Sequence, residues 1–457
     1  MIYIKKIQFK NHYLFGTQEF DFFNGNYVYK NVVFAGENGT GKTTILNIIN
    51  EYLKAQYLIY NPTNLDTSDT FITLDISDLN YVCNPNKKIT EVRLSKFKDE
   101  HENVKYNIDF PQYHITYQTE ILKDGRPAIF PFKIDSLYSK VEINYNSRNN
   151  VESIFSNDVN TIDLLSSNDI AHDVIKLLCT ISMLDDNEFH RYYEEHGKVL
   201  DNNALRKTRF NNALAFAFDN SLEYKGLKNG QAYKPLFLVD NTEVEIEKLS
   251  SGQKQIVFRG ASLLHNINSS SGYPVLIDEP ELSMHPIWER RIYDFYKNLF
   301  IADNVQMSQI FYATHSEHLL NDAMNDKSCL IVKLNNKNHM EISDNSSILP
   351  TLTLGEIKYS IFNLCTVDFH NLLYAYIGNN IVVSSLISDI DSYLISKDNC
   401  PSKLYQATDV NGRQHNSNSL PTFIRNCIDH PDNINKYNDN ELKKSIEFMI
   451  KIIKGEI

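Results

Sequence analysis

Gly36-Glu-Asn-Gly-Thr-Gly-Lys-Thr43 stands between an apolar run and a helix-periodic run, and this arrangement sets the class of the whole chain. The segment matches the phosphate-binding pattern G-x-x-x-x-G-K-S/T in full, in which glycines turn backbone N–H groups toward phosphates. The run 31–35 predicts a strand and the run 43–53 predicts a helix. Lys42 is therefore predicted to reach the β- and γ-phosphates of a nucleotide, and Thr43 to bind Mg²⁺.

A second apolar run, Pro274-Val-Leu-Ile-Asp278, predicts a strand that ends in a carboxylate. A carboxylate at the carboxyl edge of a sheet can hold the Mg²⁺ of a bound nucleotide, so Asp278 is a candidate metal ligand together with Thr43. The candidate cofactor-binding residues of the loop are Gly36, Asn38, Gly39, Thr40, Gly41, Lys42, Thr43 and Thr44.

Three further motifs follow in order, namely Leu249-Ser-Ser-Gly-Gln253, Glu281-Leu-Ser-Met-His-Pro286 and Ala313-Thr-His-Ser316. The first precedes a run at 254–264 that predicts a helix. Together with the glycine-rich loop and Asp278-Glu279, their order and spacing resemble those of ABC-type ATPases of the SMC, Rad50, RecF and OLD group, within the AAA family.

That resemblance implies an α/β fold, an ABC-type P-loop ATPase head with an antiparallel β lobe, which uses ATP and Mg²⁺. It implies that Glu279 is the general base and that His315 senses the γ-phosphate, while Lys42 and Asp278 complete the catalytic set. A histidine that ends a strand for structural reasons is the alternative for His315. By the same resemblance, Thr44 contacts the region of the α-phosphate.

The pentapeptide at 249–253 implies a site shared between two copies of the chain. In the ATPases that it resembles, the serine and glycine of this motif contact the γ-phosphate held by the opposite subunit. Ser250 and Gly252 take those roles by position. We therefore expect a head-to-tail homodimer with two nucleotides at its interface, and leave higher oligomers open.

Hydrophobic periodicity divides the chain into four regions. We predict the N-terminal part of the ATPase head at 1–155, a helical insertion at 156–235, the C-terminal part of the head at 236–340, and an α-helical C-terminal module at 341–457. Alternating runs between 70 and 146, the last at 140–145, predict the strands of the antiparallel lobe.

Helical periodicity predicts the helices of the insertion and of the C-terminal module. The predicted helices are 170–184, 187–196, 204–218, 355–376, 381–395, 421–429 and 439–454, with a polar loop at 397–419. The insertion is too short, and lacks the sustained heptads, for the long coiled coil of SMC and Rad50 proteins.

Two features of the head stay open. Leu205-Arg-Lys-Thr-Arg-Phe210 is the most basic part of the insertion, and it is either a solvated helix face or a contact for nucleic acid or a partner protein. Gln112 and Gln118 are both candidates for the glutamine that follows the lobe in ABC-type heads, and the sequence favours neither.

In the C-terminal module, Arg425-Asn426 and His430 match the R-N-x-x-x-H form of a motif in HEPN ribonucleases. In that hypothesis Arg425 stabilises a charged phosphorane and His430 exchanges protons with the 2′-hydroxyl or the leaving oxygen of the RNA. In the structural alternative, the arginine and asparagine make helix-capping or ion-pair contacts and the histidine ends the helix.

A second nuclease hypothesis concerns Asp389-Ile-Asp391, which resembles the D-x-D of TOPRIM nucleases. No glutamate at the end of a predicted strand precedes it in a fitting position. A solvated helix face is therefore the preferred interpretation of these aspartates.

Composition narrows the classes of function. The net charge of −12 argues against a surface that coats nucleic acid without specificity, and 42% hydrophobic content is typical of a globular protein. No run is apolar enough for a membrane span and the N-terminus lacks a signal-peptide layout, so we expect a cytoplasmic protein with no membrane contact. The six cysteines form no C-x-x-C pair, which indicates reduced thiols and no zinc site.

Three hypotheses of function follow. The first is a regulatory ATPase that senses a nucleic acid or phage protein and controls a separately encoded toxic nuclease, as in the anti-phage systems Septu and PARIS, which it resembles. The second is a single-chain ribonuclease toxin acting through Arg425 and His430, for which anticodon nucleases of the PrrC type are a precedent. The third is a RecF-like DNA-repair ATPase, which the acidic balance disfavours.

Overall fold

The structure is a computed structural model in which the described residues form two compact units, Met1–Ser343 and Asp344–Ile457. The described residues are 2–54, 69–77, 90–98, 104–110, 112, 115–118, 137–139, 169–200, 205–228, 234–265, 272–281, 284–302, 304–335, 339–342, 347–408, 414–430 and 436–457.

Most of the strands belong to the first unit. They are β1 (Tyr3–His12), β2 (Gly16–Asp21), β3 (Phe23–Asn24), β4 (Tyr27–Val28), β5 (Asn31–Gly36), β6 (Asp69–Asp75), β7 (Glu91–Lys98), β8 (Val104–Phe110), β9 (Ile115–Gln118), β10 (Leu137–Ser139), β11 (Leu222–Lys228), β12 (Lys234–Val239), β13 (Thr242–Glu245), β14 (Val275–Asp278), β15 (Ile301–Ala302), β16 (Val305–Gln306), β17 (Ile310–Thr314), β18 (Cys329–Asn335) and β19 (His339–Ile342). The C-terminal unit adds β20 (Ser402–Thr408) and β21 (Gln414–Ser419).

Helices occur in both units. Those of the first are α1 (Lys42–Lys54), α2 (Asp169–His196), α3 (Arg206–Phe218), α4 (Ser251–His265), α5 (Pro286–Glu289), α6 (Ile292–Leu299) and α7 (Glu317–Asn325). Those of the second are α8 (Leu354–Phe362), α9 (Val367–Tyr376), α10 (Ile387–Ile395), α11 (Leu420–Asp429) and α12 (Asp439–Ile453).

A six-stranded sheet, ordered β10-β14-β17-β5-β18-β19, carries the glycine-rich loop. All its neighbouring strands are parallel except the edge pair β18 and β19. Every residue of β5 is buried, because a central parallel strand is covered on both faces and needs no alternation of polar and apolar residues. The glycine-rich loop therefore starts from the best-anchored strand of the sheet.

The second large sheet is antiparallel and has the order β2-β1-β6-β7-β8-β9. It is the predicted β lobe, and the mixed α/β fold class is confirmed. The buried side chain of Gln309 joins this sheet to the parallel one: its Oε1 accepts from the Ile4 N–H at 2.7 Å, and its Nε2 donates to the Ile4 carbonyl at 3.2 Å. The strand predicted at 140–145 lies outside the described residues.

The helices after the lobe correct two expectations. Residues 170–184 and 187–196 belong to a single helix, α2, which packs against α4. The basic segment before and within α3 is no solvated face, since Arg206 and Arg209 are 3% and 2% exposed. Arg206 Nη1 instead contacts carboxylates of α2, Asp185 at 3.1 Å and Glu188 at 2.9 Å.

The C-terminal unit is largely helical, but it also contains a β-hairpin. Strands β20 and β21 pair antiparallel within the segment predicted as a polar loop at 397–419, so that prediction was wrong. The run 355–376 is two helices, α8 and α9, which a left-handed residue, Asn363, separates at the end of α8. The helices predicted near 421–429 and 439–454 are α11 and α12.

His370 lies in the core of the C-terminal unit with no exposed surface. It joins two helices, because its Nε2 lies 2.9 Å from the Ser445 Oγ of α12. Burial lowers the pKa of His370 from 6.5 to about 4, since the imidazolium loses its hydration. The His370 imidazole therefore binds a proton at a higher pH in the unfolded chain than in the folded one. Because of this difference, the free energy of unfolding falls as the pH falls from about 6.5 to about 4.

We expect acidification from pH 7 to pH 5 to lower the local stability of the C-terminal unit by about 2 kcal/mol through His370 alone. Hydrogen exchange of the peptide 367–376 in the full chain, corrected for intrinsic rates, measures this change. In His370→Gln the part of the pH dependence due to this imidazole should be gone. An equal pH dependence in both proteins would contradict the assignment.

Candidate functional site

Three strand ends define the site. Asp278 at the end of β14 pairs in register with Ala313 of β17, and Ala313 pairs with Phe34 of β5. Because parallel strands present their carboxyl ends at one edge, the residues that follow these strands converge there. The segment after Asp278, the residues from Thr314 onward and the glycine-rich loop thus meet at one edge of the sheet.

The glycine-rich loop curves tightly before α1. Gly41 has a φ of +97°, and a Cβ there would lie 2.5 Å from Leu14 Cδ2 and 2.9 Å from the Phe15 ring, so only glycine fits. The Thr40 hydroxyl donates to the Glu37 carbonyl at 2.8 Å and stabilises the turn. Gly36 ends β5, Asn38 and Gly39 are exposed at the tip, and Thr43 and Thr44 lie in the first turn of α1.

Lys42 is the buried cation of this edge, with 6% of its surface exposed. Its Nζ donates to the carbonyls of Gly36 and Glu37, both at 2.8 Å. Burial lowers the pKa of Lys42, and the nearby carboxylates of Glu279 and Glu281 oppose that shift. The positive charge of Lys42 therefore faces a cluster of acidic groups across the strand ends.

Thr43 and Asp278, the two predicted Mg²⁺ ligands, lie side by side. The Thr43 hydroxyl donates to the Asp278 carboxylate at 3.1 Å, although 235 positions separate them in the chain. A hydroxyl and a carboxylate are oxygen ligands of the kind that Mg²⁺ takes beside nucleotide phosphates. The described residues contain no cluster of three or more His, Cys, Asp or Glu side chains that could hold a metal by themselves. The pair thus fits a Mg²⁺ that keeps water and phosphate ligands.

Glu279 has a left-handed backbone with a φ of +45°, which is unusual for a residue with a side chain. Its N–H donates to the Ala313 carbonyl at 2.9 Å. Arg259 of α4 donates from Nη1 to the carbonyls of Glu279 at 3.2 Å and Pro280 at 3.0 Å. These contacts hold a strained turn immediately beside Asp278, as is common where a catalytic side chain must be aimed.

His315 directly follows β17 and touches the segment that follows β14. Its backbone N–H donates to Glu281 Oε1 at 3.0 Å, and its Nδ1 lies 3.3 Å from the same oxygen. The side chain of His315 is 44% exposed, whereas that of Glu281 is 5% exposed. The imidazole therefore stands at the surface of the edge with a buried carboxylate behind it.

The signature-like motif forms the N-terminus of α4. The Ser250 N–H donates to Gln253 Oε1 at 2.9 Å, and the Gln253 N–H donates to Ser250 Oγ at 3.3 Å, which is a capping box. Gly252 lies under the only tryptophan of the chain, since a Cβ there would be 2.2 Å from Trp288 Cζ3. Ser250 is exposed, so its hydroxyl is accessible from outside the subunit.

The motif residues thus form two groups. Lys42, Thr43, Asp278, Glu279 and His315 meet at the strand ends. Ser250 directly precedes α4 and is nine positions before Arg259, which corresponds to about 13 Å along the helix axis at 1.5 Å per residue. Arg259 contacts the Glu279 carbonyl, so Ser250 lies more than two helical turns along the chain from that contact.

The C-terminal candidates make structural contacts. Arg425 forms an ion pair with Asp429 one helical turn away, at 2.5 Å, and donates to Asn426 Oδ1 at 3.1 Å. His430 ends α11, with its N–H bonded to the Asn426 carbonyl. These are the contacts of the structural alternative to the ribonuclease motif.

The aspartates of the D-x-D segment differ from each other. Asp391 is buried and accepts from the backbone N–H groups of Asn418 and Ser419, both at 3.0 Å, so it anchors the β-hairpin. It is therefore not on a solvated face. Asp389 is on the surface and accepts from the Ser384 hydroxyl at 2.7 Å.

Of the two glutamine candidates, only Gln112 has a described side chain. Gln112 is exposed and exchanges hydrogen bonds with Thr90 of the lobe. The side chain of Gln118 is outside the described part of the chain, as are Leu282 and Ser283 of the motif after Pro280.

Sequence reasoning assigned no role to Arg259, Glu281 or Thr314. The position of Arg259 within the apolar run of α4 was a usable signal. A charged side chain on the buried face of a helix needs polar partners. Glu281 was visible within its motif, but its contact with Thr314 spans 33 positions and depends on the pairing of β14 with β17.

Comparison with protein families shows which family the chain belongs to. Residues 32–321 match the family described as "AAA domain, putative AbiEii toxin, Type IV TA system", and this match covers more than half of the 457 residues. The chain belongs to this family. Its AAA domain is a P-loop ATPase domain, as the glycine-rich loop predicted. Within this AAA domain lie all the motif residues at the strand ends and at the start of α4.

Solved structures similar to the chain include heads of SMC proteins. One SMC head bound to the C-terminal winged-helix domain of ScpA is 13% identical, with a TM-score of 0.42 over 75% of this chain and 97% of that one. A head with an extended coiled coil, bound to the C-terminal domain of ScpA from Pyrococcus furiosus, is 12% identical (TM-score 0.39; 75% and 96%). The head from Thermotoga maritima is 13% identical (TM-score 0.36; 74% and 98%). No curated protein matches the sequence.

No helix among the described residues is long and apolar enough to cross a membrane. The described cysteines, which exclude Cys83, are all free thiols, namely Cys179, Cys329, Cys365, Cys400 and Cys427.

Proposed function

We propose that this AAA domain is an ATP-dependent switch that closes as a head-to-tail homodimer and controls a separately encoded effector. The observation that carries the proposal is the meeting of Lys42, the Thr43–Asp278 pair and Glu279 at one edge of the sheet. Lys42 and the loop N–H groups would bind the phosphates, and Thr43 with Asp278 would hold Mg²⁺, which neutralises phosphate charge when bound.

Glu279 is the proposed general base for ATP hydrolysis. Its side chain follows Asp278 directly, and its left-handed backbone is held by the Ala313 carbonyl and by Arg259. A carboxylate next to the Mg²⁺ pair can accept a proton from the attacking water. His315, at the end of the neighbouring strand, is proposed to contact the γ-phosphate.

Glu279→Gln should keep ATP binding and lower hydrolysis by roughly 10²- to 10⁴-fold, because the amide cannot accept the proton. The measurement is the ratio of ATP to ADP that copurifies with the protein after incubation with Mg²⁺ and ATP. Glu243→Gln, an exposed glutamate of β13, is the matched control and should hydrolyse ATP at the wild-type rate. Hydrolysis at the wild-type rate in Glu279→Gln would refute the assignment.

The dimer follows from the position of the signature residues. Ser250 is exposed and stands about 13 Å along α4 from the arginine that touches Glu279. The N-terminal end of α4 carries partial positive charge, which suits a phosphate oxygen presented by another subunit. We infer that Ser250 and Gly252 complete the site of the partner, so each ATP is shared by two chains.

Mixing two inactive variants tests this arrangement. Lys42→Ala loses its own phosphate site and Ser250→Arg loses the contact that it offers to a partner, so each homodimer should be inactive. A heterodimer of the two retains one complete site, and an equal mixture should regain about a quarter of the wild-type ATPase rate if the sites are independent. A mixture as inactive as its components would show that each chain uses its own Ser250.

The effector is proposed to be a toxic nuclease partner in anti-phage defence, with a nucleic acid or a phage protein as trigger. Support comes from the family description, which names a toxin and a toxin–antitoxin system. Support also comes from Arg425, which is engaged with Asp429 and Asn426 and thus favours an effector in another chain over a built-in ribonuclease.

Copurification from the native host tests the partner. We expect a nuclease to copurify with the wild-type protein, and the amount bound to differ between the wild type and Glu279→Gln, because ATP closure is the proposed switch. Mass spectrometry of both preparations, with Glu243→Gln as control, is the measurement. RNA cleavage by the purified chain that Arg425→Ala abolishes would instead favour the single-chain toxin.

A further inference from the structure

The carboxylate of Glu281 joins the two strand ends that carry the catalytic candidates. Its Oε1 accepts from the Thr314 hydroxyl at 2.7 Å and from the His315 N–H at 3.0 Å, and His315 Nδ1 lies 3.3 Å away. The Thr314 hydroxyl also accepts from the Ser316 N–H at 2.9 Å. One buried oxygen thereby holds the whole turn from which the imidazole projects.

A glutamate at this position is costly if it serves only to fill space. Glu281 is 7% exposed, and its Oε2 has no hydrogen-bond partner among the described residues. Burial raises its pKa, while the hydroxyl of Thr314 and the backbone N–H of His315 oppose the shift. A glutamine could accept the same two hydrogen bonds at less cost, so a carboxyl group at this position calls for a further explanation.

The imidazole of His315 provides that explanation. It is the ring beside Oε1, and a carboxylate next to Nδ1 favours the tautomer that carries its proton on that nitrogen. A carboxylate behind an imidazole also fixes the orientation of the ring, as it does in metal sites and hydrolases. Lys42 and Tyr296 also interact electrostatically with Glu281. The test must therefore distinguish an effect of Glu281 through His315 from an effect through these two residues.

We propose that Glu281 is a positioning residue that sets the orientation and tautomer of the His315 ring for ATP hydrolysis. The inference rests on the proposed role of His315. Glu281 is separated from the proposed base Glu279 by Pro280 alone, and Arg259 bonds the carbonyls of Glu279 and Pro280. The segment 279–281 thus positions the proposed base through Glu279 and the proposed γ-phosphate contact, His315, through Glu281.

A double-mutant cycle tests the coupling. Glu281→Gln preserves an oxygen for Thr314 and for the His315 N–H but removes the charge beside Nδ1. We expect kcat to fall on the order of tenfold with KM for ATP within about twofold, a smaller loss than for a group that transfers a proton itself. Because Glu281 acts through the imidazole, Glu281→Gln should cause no further loss in a His315→Ala background.

Two further variants guard against local misfolding. Glu289→Gln is the matched control, since Glu289 accepts from the Ser316 hydroxyl at 2.6 Å, one residue from His315, but does not hold the imidazole. It should retain the wild-type kcat. Thr314→Val removes one contact of Oε1 while the charge remains, and should lower kcat by about threefold, again only when His315 is present.

The outcomes separate this inference from the proposed function. If the wild type turns over ATP and His315→Ala lowers kcat, yet Glu281→Gln has no effect or the same effect in both backgrounds, the inference fails alone. An equal loss in Glu289→Gln would also overturn it, because the turn and not the carboxylate would then be responsible. If His315→Ala retains the wild-type kcat, the proposed role of His315 fails and the inference fails with it.

Discussion

The parallel pairing of β14, β17 and β5 is the constraint on which the rest of the molecule depends. Its register brings Asp278, Ala313 and Phe34 level, so everything that follows these strands opens onto one edge. A shift by one residue would turn every side chain of a strand to the opposite face and separate Thr43 from Asp278. β5 is buried along its whole length, and Gln309, which directly precedes β17, forms hydrogen bonds with the backbone of Ile4 in β1.

This edge of the parallel sheet brings ionisable side chains together where they have little contact with water. Lys42 and Glu281 are both buried, and Lys42 interacts favourably with Asp278 and Glu279. Each charge would be costly alone, but their proximity and the surrounding hydrogen bonds reduce that cost. Contacts from Arg259 of α4 and Ala313 of β17 also stabilise the strained turn at Glu279. The orientation of the Glu279 carboxylate therefore depends on the position of α4.

Much of the fold was predictable from local patterns, and the failures have physical reasons. The hairpin β20–β21 was missed because QHNSNS has no apolar alternation; its second strand is satisfied by pairing and by Asp391, which binds two of its backbone N–H groups. Arg206 was read as a surface cation because its carboxylate partners lie 18 and 21 positions earlier, on α2.

The sequence by itself determined that this chain carries a P-loop ATPase, because the glycine-rich loop and the carboxylate-ended strand are local signals whose chemistry depends on residue type and spacing. Only the tertiary structure decided that Glu281 stands behind His315 and that Arg259 holds the Glu279 turn. Those contacts join residues 20 to 34 positions apart. They arise from strand register and helix packing, which no local pattern encodes.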